Sequence, residues 1–360
     1  MAAGRREQAG IVPPPSGAGS RCPAASFNGR RRGRFKTGDI SSKHGSVELF
    51  GLESNPVPEG ATAGVVVASD GVALRYARFP AAGRRVLGTV SLFQGRTECI
   101  EKYFEVIGDL RRRGFTVATL DWRGQGGSER RLRNRRKGHV DSFEEYDRDL
   151  DAFMEQVALP DCPPPHYALA HSTGALILLR AARDGRARFT RMVLTAPLLG
   201  LPSSRPSPEF GYRLAAALTA VGLGELDISG RFVRPIDKMR FETNPLTSDP
   251  VRFERNRDIY MKLPQLAIGA PTFAWLYAAS LAMRETMEPD FGPSIRVPVL
   301  MVAAGNDRVV STTAIEAVAA ELRIGAQVAI PAARHEVLME RDAIREQFWA
   351  AFDAFVPGTS

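Results

Sequence analysis

Three polar residues interrupt the apolar run YALAHSTGALILL at residues 167–179, and the central one is Ser172. The residues before them form an apolar strand pattern, and those after them repeat apolar side chains at helical spacing. A sharp turn from a strand into a helix exposes its central side chain at the end of a sheet. The small residues Ala170 and Gly174 on either side allow the two backbones to approach each other. The pattern therefore predicts that Ser172 is a nucleophile.

A serine hydroxyl is a weak nucleophile and needs a base that is itself oriented by an acid. In a strand–turn–helix site the chain order is serine, acid, histidine, with both partners on loops after later strands. His335 is the only histidine downstream of Ser172, and it lies in the loop sequence PAARHEVLMERD. Asp307 follows the strand pattern VLMVAAG and is the expected acid. Asp290 and Asp249 are the alternatives.

The negative charge that develops on an attacked carbonyl oxygen needs preorganised N–H donors. One expected donor is the backbone amide of Thr173, because it begins the helix after the turn. The other is the amide of Arg96 in the loop SLFQGRTECIEKY, where Gln94 and Gly95 precede it. Glycine at this point permits a close approach of the backbone.

Strand and helix patterns alternate from about residue 64 onward, and the strands are almost continuously apolar. This alternation predicts an α/β fold with a mostly parallel sheet and helices on both faces. The interval 198–293 breaks the rhythm with helical stretches and polar connections, so it is expected to be a helical cap inserted into the core. The predicted organisation is a basic tail at 1–45, core segments at 46–197 and 294–360, and the cap between them.

The net charge of +8 is concentrated in residues 1–45, where nine Lys and Arg residues face two acidic residues. This Gly-, Pro-, Ser- and Arg-rich tail cannot bury enough apolar surface to fold alone. We interpret it as a disordered, solvated extension, with contact to anionic lipid as the alternative. Because the rest of the chain carries almost no net charge, nucleic acid is not an expected partner.

Cys22, Cys99 and Cys162 are widely scattered and have neither metal-site nor disulfide-framework spacing, so no metal or cofactor is expected. The sequence shows no secretory signal and no apolar run of about 20 residues. A cytoplasmic location is therefore predicted, with peripheral contact to the inner face of the membrane as a further expectation. The sequence leaves the oligomeric state open.

Seven stretches carry a resemblance to a known group of proteins. They are QGRTECIEKY, DWRGQGGSER, KGHVDSFEEYDRDLDAF, AHSTGALI, TNPLTSDPVRFERN, AGNDRVV and ARHEVLMERD. Together they resemble the α/β-hydrolase superfamily, and within it the lysophospholipase L2 and monoacylglycerol lipase group of serine aminopeptidase-like hydrolases. The resemblance implies an ester hydrolase with the triad Ser172, Asp307 and His335. Two positions depart from the common pattern: Gln94 replaces a histidine before the oxyanion loop, and Ala170 replaces the first glycine of the turn.

The leading hypothesis is a serine esterase of lysophospholipase type that releases a fatty acid from a lysophospholipid. Monoacylglycerol lipase activity is the first alternative. An aminopeptidase would need an acidic pocket in the cap, for which the candidates are Glu209, Glu225, Asp227 and Glu242. The cap residues Phe273, Trp275 and Tyr277 suit an acyl chain better. A non-catalytic binding module is disfavoured because all three triad members are present.

The loop ERRLRNRRK at residues 129–137 holds six basic residues and follows a predicted strand. Loops at the carboxyl ends of parallel strands border the active-site crevice. Arg133 and Arg135 are therefore candidate contacts to a lipid phosphate or an anionic membrane. The alternative is a solvated loop whose charges pair with Glu144, Glu145 and Asp147 on the next helix.

Overall fold

A computed structural model of the protein describes residues 47–203, 207–228 and 235–358, so the predicted tail at 1–45 lies outside it. Eight strands form one sheet in the order β1-β2-β4-β3-β5-β6-β7-β8. They are β1 (Thr62–Val67), β2 (Ala73–Phe79), β3 (Gly88–Phe93), β4 (Phe115–Leu120), β5 (His166–His171), β6 (Arg191–Thr195), β7 (Val299–Ala304) and β8 (Gly325–Ile330). β2 pairs antiparallel with β1 and β4, and the other pairings are parallel.

Helices follow or precede the strands in the order that the sequence predicts for the core. They are α1 (Phe104–Arg112), α2 (Glu144–Phe153), α3 (Leu159–Asp161), α4 (Thr173–Arg183), α5 (Pro208–Ala220), α6 (Pro250–Lys262), α7 (Phe273–Glu285), α8 (Phe291–Ser294), α9 (Thr312–Glu321) and α10 (Asp342–Phe355). A turn of 3₁₀ helix at Ile100–Tyr103 leads into α1. The structure thus confirms the predicted α/β fold.

The core lies on both faces of the sheet. Successive residues of one strand point to opposite faces, and along β6 Met192 and Leu194 pack in one apolar cluster while Val193 packs in the other. α2 and α4 cover the first face, and α1 and α10 cover the second. Because helices bury both faces, the central strands are apolar at almost every position.

Two elements differ from the sequence prediction. β1 was not predicted, because it is a short edge strand whose Val67 is 44% exposed and whose glycine lowers strand propensity. α6 replaces part of what the sequence indicated as a polar connection in 198–293. Its apolar residues are sparse, but Asp249 caps its N-terminus by accepting from the Arg252 amide at 2.9 Å.

The start of the sheet depends on a buried cation. Arg75 on β2 is enclosed completely and binds Glu101 at 2.7 Å and Asp121 at 2.6 Å. The Asp121 carboxylate also accepts from the amides of Ile100 at 2.9 Å and Gly127 at 2.7 Å. One ion-pair cluster therefore fixes the loops after β3 and β4 to β2.

Replacing this cation should destabilise the fold strongly. Arg75→Met leaves two buried carboxylates without a counter-charge, so we expect the free energy of unfolding to fall by about 3–5 kcal/mol. Urea denaturation measures the change. The matched variant Arg84→Met removes an exposed arginine and should stay within about 0.5 kcal/mol of the parent protein. Equal stability of the two variants would contradict the assignment.

Candidate active site

The turn between β5 and α4 has the strained backbone that the sequence predicts for a nucleophile. Ser172 has φ 50° and ψ −113°, a region that residues with a side chain rarely adopt, and α4 begins at the next residue. The turn is tight against β3, since a Cβ on Gly174 would lie 2.6 Å from the Gln94 carbonyl oxygen. Glycine at position 174 is therefore required by close approach.

Ser172, His335 and Asp307 form a continuous chain of hydrogen-bonding contacts. His335 Nε2 lies 3.2 Å from Ser172 Oγ, and His335 Nδ1 lies 2.8 Å from Asp307 Oδ2. Asp307 follows β7 and His335 follows β8, so both lie at the carboxyl edge of the sheet, where β5 also ends. Burial raises the Asp307 pKa, but the His335 hydrogen bond and charge, with the backbone amides of Val310 and Val309, lower it overall.

The two alternative acids lie elsewhere. Asp249 caps α6 and pairs with Arg252 at 2.9 Å. Asp290 is exposed and immediately precedes α8. Of the three candidate acids, Asp307 is the one that contacts His335 in the described structure.

The loop after β3, which carries the Arg96 amide, passes beside Ser172. The Gly95 carbonyl accepts from the Gln125 side chain at 2.9 Å. Because the C=O and N–H of a trans peptide point in opposite directions, this bond turns the Arg96 amide away from Gln125. A Cβ added to Gly95 would lie 3.2 Å from Ser172 Cβ, so the loop passes directly beside the serine. Within the described residues, neither the Arg96 amide nor the Thr173 amide has an acceptor.

A buried ion-pair cluster that was not predicted from the sequence lies under this loop. Lys102 binds Glu98 at 2.5 Å and Glu336 at 2.7 Å, and all three side chains are enclosed. Burial raises the Glu98 pKa, but Lys102 and further partners lower it to about 2. Glu98 also accepts from the Gly95 amide. The spacing of Glu98 and Lys102 is typical of a solvent-exposed helical pair, which conceals the cluster from sequence reasoning.

A cavity of about 920 Å³ opens onto Ser172 and His335. Much of its wall is apolar and comes from α5, α7 and the loops between β6 and α7. The apolar side chains include Leu201, Phe210, Leu214, Ile236, Met239, Phe273 and Leu276. Of the predicted acyl-chain contacts, Phe273 lines the cavity. Trp275 and Tyr277 do not: Trp275 packs on the Arg96 guanidinium, and Tyr277 stacks on Tyr212.

The charged candidates are placed unevenly around this cavity. Arg133 and Arg135 are exposed and are not part of its wall. Among the four acids considered for an aminopeptidase, Glu209, Glu225, Asp227 and Glu242, only Asp227 lines the cavity. Glu209 is instead bound to Arg213 at 2.8 Å on the surface.

The acids of α2 pair with the basic loop only in part: Arg131 lies 4.0 Å from Glu145 and also binds Asp141 just before the helix. Arg180 binds Asp147 at 2.9 Å and Glu144 at 3.0 Å. Within the loop, Arg136 binds Asp237 at 2.8 Å. The loop is therefore bound both to the chain between β6 and α6 and to the start of the helix that follows it.

The described part of the chain contains no grouping of three or more His, Cys, Asp or Glu side chains that would hold a metal ion. It also contains no helix with the length and apolar character needed to cross a bilayer.

Known proteins are similar to this chain in sequence and fold. The model of a family described as "Serine aminopeptidase, S33" matches residues 84–342. Lysophospholipase L2 of Escherichia coli (strain K12) is 30% identical over 299 residues, covering 77% of this chain and 82% of that protein. The probable lysophospholipase L2 of Haemophilus influenzae is 28% identical over 265 residues, covering 74% and 82%.

Solved structures show the same fold. A soluble variant of monoglyceride lipase from Saccharomyces cerevisiae, in complex with a substrate analogue, aligns with a TM-score of 0.67. It is 19% identical, and the alignment covers 88% of this chain and 98% of that one. These comparisons confirm the group to which the sequence motifs pointed. The chain belongs to the serine aminopeptidase S33 family and is a hydrolase with the α/β-hydrolase fold.

Proposed function

We propose that the protein is a serine carboxylester hydrolase of lysophospholipase type, which releases a fatty acid from a lysophospholipid. The observation that carries the proposal is the hydrogen-bonded chain of Asp307, His335 and Ser172 at the wall of a largely apolar cavity. Nucleophile, base and orienting acid are all within hydrogen-bonding reach. The lysophospholipase L2 relatives support the substrate class.

In the proposed mechanism Ser172 Oγ attacks the ester carbonyl while His335 Nε2 takes its proton. Asp307 holds the imidazole through Nδ1 and stabilises the imidazolium that forms. His335 then returns the proton to the leaving alcohol, and the fatty acyl group stays on Ser172 as an ester. Water, deprotonated by His335, attacks this acyl-enzyme and releases the fatty acid.

Two backbone amides are proposed to bind the oxyanion of each tetrahedral intermediate. The Arg96 and Thr173 amides lack acceptors among the described residues and flank Ser172. Both amides are fixed before substrate arrives. Gln125 and Glu98 hold the loop that carries Arg96, and Thr173 is the first residue of α4. Such preorganised donors stabilise developing charge more than mobile water does.

The cavity supports an acyl-chain substrate more than a peptide. Its apolar wall would cover a fatty chain, whereas an aminopeptidase must bind an ammonium group. Two of the acids at the wall, Glu98 and Glu336, share one ion-pair partner, Lys102, and Asp227 is the remaining acid among the described residues. Monoacylglycerol lipase activity is the second candidate because the acyl chain of a monoacylglycerol would fit the same wall.

We also propose peripheral contact with an anionic membrane. α5 and the turn after it expose apolar side chains beside the cavity: Phe210, Leu214, Val221, Leu223 and Leu226. Phe210 and Leu214 belong both to this surface and to the cavity wall. A lipid could therefore pass from a bilayer into the cavity without exposing its chain to water.

Ser172→Ala should abolish ester hydrolysis. Removal of an activated nucleophile typically costs several orders of magnitude in kcat, and we expect this for lysophosphatidylcholine while the folded circular dichroism spectrum is retained. A fluorophosphonate probe should label the parent protein and leave the variant unlabelled. Equal labelling of both proteins would remove Ser172 from the mechanism.

Asp307→Asn should preserve the packing but stabilise the wrong imidazole tautomer. We expect kcat to fall by up to roughly 10⁴-fold, as the loss of an orienting carboxylate does in this type of triad. The matched variant Asp290→Asn changes an exposed acid and should keep parental kcat. Activity of Asp307→Asn within a few fold of the parent would assign the acid role to another carboxylate.

Gln125→Leu should loosen the oxyanion loop without touching the substrate. The Gly95 carbonyl loses its side-chain donor, so the Arg96 amide is no longer held in one direction. We expect kcat to fall roughly 10- to 100-fold, approaching the loss of an oxyanion donor, with KM within about threefold. Gln347→Leu, on the exposed face of α10, is the control. A rise in KM with unchanged kcat would argue against this positioning role.

A further inference from the structure

The side chain of Arg96 is an unusual cation at the cavity wall. Its Nη2 donates to the Gly269 carbonyl, and its guanidinium lies over the Trp275 ring at 5.2 Å from the ring centre. Its Nε is buried and has no partner. No carboxylate among the described residues lies within ion-pairing distance of Arg96.

Two buried arginines among the described residues, Arg75 and Arg123, are paired with carboxylates. Arg75 is held by Glu101 and Asp121. Arg123 binds Asp149 at 2.7 Å and further acids. These pairings show that carboxylates accompany arginine where the fold alone requires it, so an uncompensated guanidinium needs another explanation.

Arg130 is the informative exception. It also lacks a carboxylate, but its terminal nitrogens donate to five backbone carbonyls, those of Gly126, Arg135, Gln265, Leu266 and Ala267. Arg130 is not part of the cavity wall. Arg96, by contrast, lines the cavity and donates to one backbone carbonyl among the described residues, that of Gly269. The two residues therefore differ in the capacity to accept an anion.

The Arg96 guanidinium keeps its charge in this place. Burial lowers its pKa to about 10, partly offset by Tyr146, so the group remains cationic near neutral pH. An anion that displaces water beside it would gain a charge-assisted hydrogen bond in a poorly solvated site. Among the described residues at the wall, Asp227 and the exposed Arg308 make no ion pair, whereas Glu98 and Glu336 both pair with Lys102.

We propose that Arg96 is a specificity-determining residue that binds the phosphate of the glycerophosphate leaving group; this rests on the proposed lysophospholipase function. The length of the Arg96 side chain matches the distance between the ester and the phosphate of the substrate. Six bonds separate the Arg96 amide nitrogen from its guanidinium carbon, and six bonds separate the ester carbonyl carbon of a 1-acyl glycerophospholipid from its phosphorus. Both spans are roughly 6–7.5 Å when extended. One residue thus contacts the oxyanion with its amide and the phosphate with its side chain.

Arg96→Gln tests the assignment against two substrates with the same acyl chain. For lysophosphatidylcholine we expect kcat/KM to fall roughly 10- to 100-fold, the effect of losing a hydrogen bond to a charged group. For the uncharged monoacylglycerol the fall should be clearly smaller than for lysophosphatidylcholine, because that substrate has no phosphate and the backbone amide of residue 96 remains. Arg96→Lys keeps the positive charge but loses the paired N–H donors of the guanidinium, so its fall in kcat/KM for lysophosphatidylcholine should be intermediate. Arg188→Gln, exposed before β6, is the matched control.

Competition provides a second measurement. Glycerol 3-phosphate should inhibit monoacylglycerol hydrolysis by the parent protein and should inhibit Arg96→Gln at least tenfold more weakly, while glycerol should act equally on both. Inorganic phosphate as potent as glycerol 3-phosphate would indicate a free-anion site and overturn the headgroup assignment.

The outcomes separate the two proposals. Equal losses on both substrates would make Arg96 a structural residue of the oxyanion loop, and no loss on either would remove it from recognition; both results overturn the inference. A parent protein that hydrolyses no lysophospholipid and no monoacylglycerol would instead overturn the proposed function itself.

Discussion

The site depends on one strained backbone conformation, that of Ser172. A φ of 50° for a residue with a side chain costs about 1–3 kcal/mol, and neighbouring contacts must hold it. Ser172 donates its amide to the Thr195 carbonyl at 3.0 Å and accepts from the Leu198 amide at 3.2 Å, so the end of β6 anchors both of its backbone groups. The strain is therefore sustained by sheet pairing, which fixes the hydroxyl relative to β5 and β6.

The remaining parts of the site lie on loops, and a buried cation joins two of them. Lys102 lies between Glu98, which holds the loop after β3, and Glu336, which directly follows His335. Removing Lys102 would leave two carboxylates uncompensated inside the protein. The loop that presents the Arg96 amide and the loop that presents His335 are thus coupled electrostatically, and neither can shift without breaking a desolvated ion pair.

Sequence reasoning could predict what depends on local pattern. Apolar parallel strands, helical spacing and the chain order of serine, acid and histidine bring Ser172, Asp307 and His335 to one edge of the sheet. It could not predict Gln125, because the bond from its side chain to Gly95 depends on β4 lying beside β3 rather than on spacing. The sequence identifies Arg96 through its backbone amide alone, because the lack of a counter-charge beside its side chain depends on three-dimensional packing.

The insertion between β6 and β7 is fixed to the core unevenly. α6 is bound through Arg252 to Glu105 at 2.6 Å and to Asp342 at 2.7 Å, so two core helices hold it. α5 packs mainly on α7, and Ala215 is its single buried residue. An element with so few buried contacts belongs to the least stable part of a fold. Because α5 also supplies Phe210 and Leu214 to the cavity wall, part of the wall near Ser172 belongs to the weakly held side of the insertion.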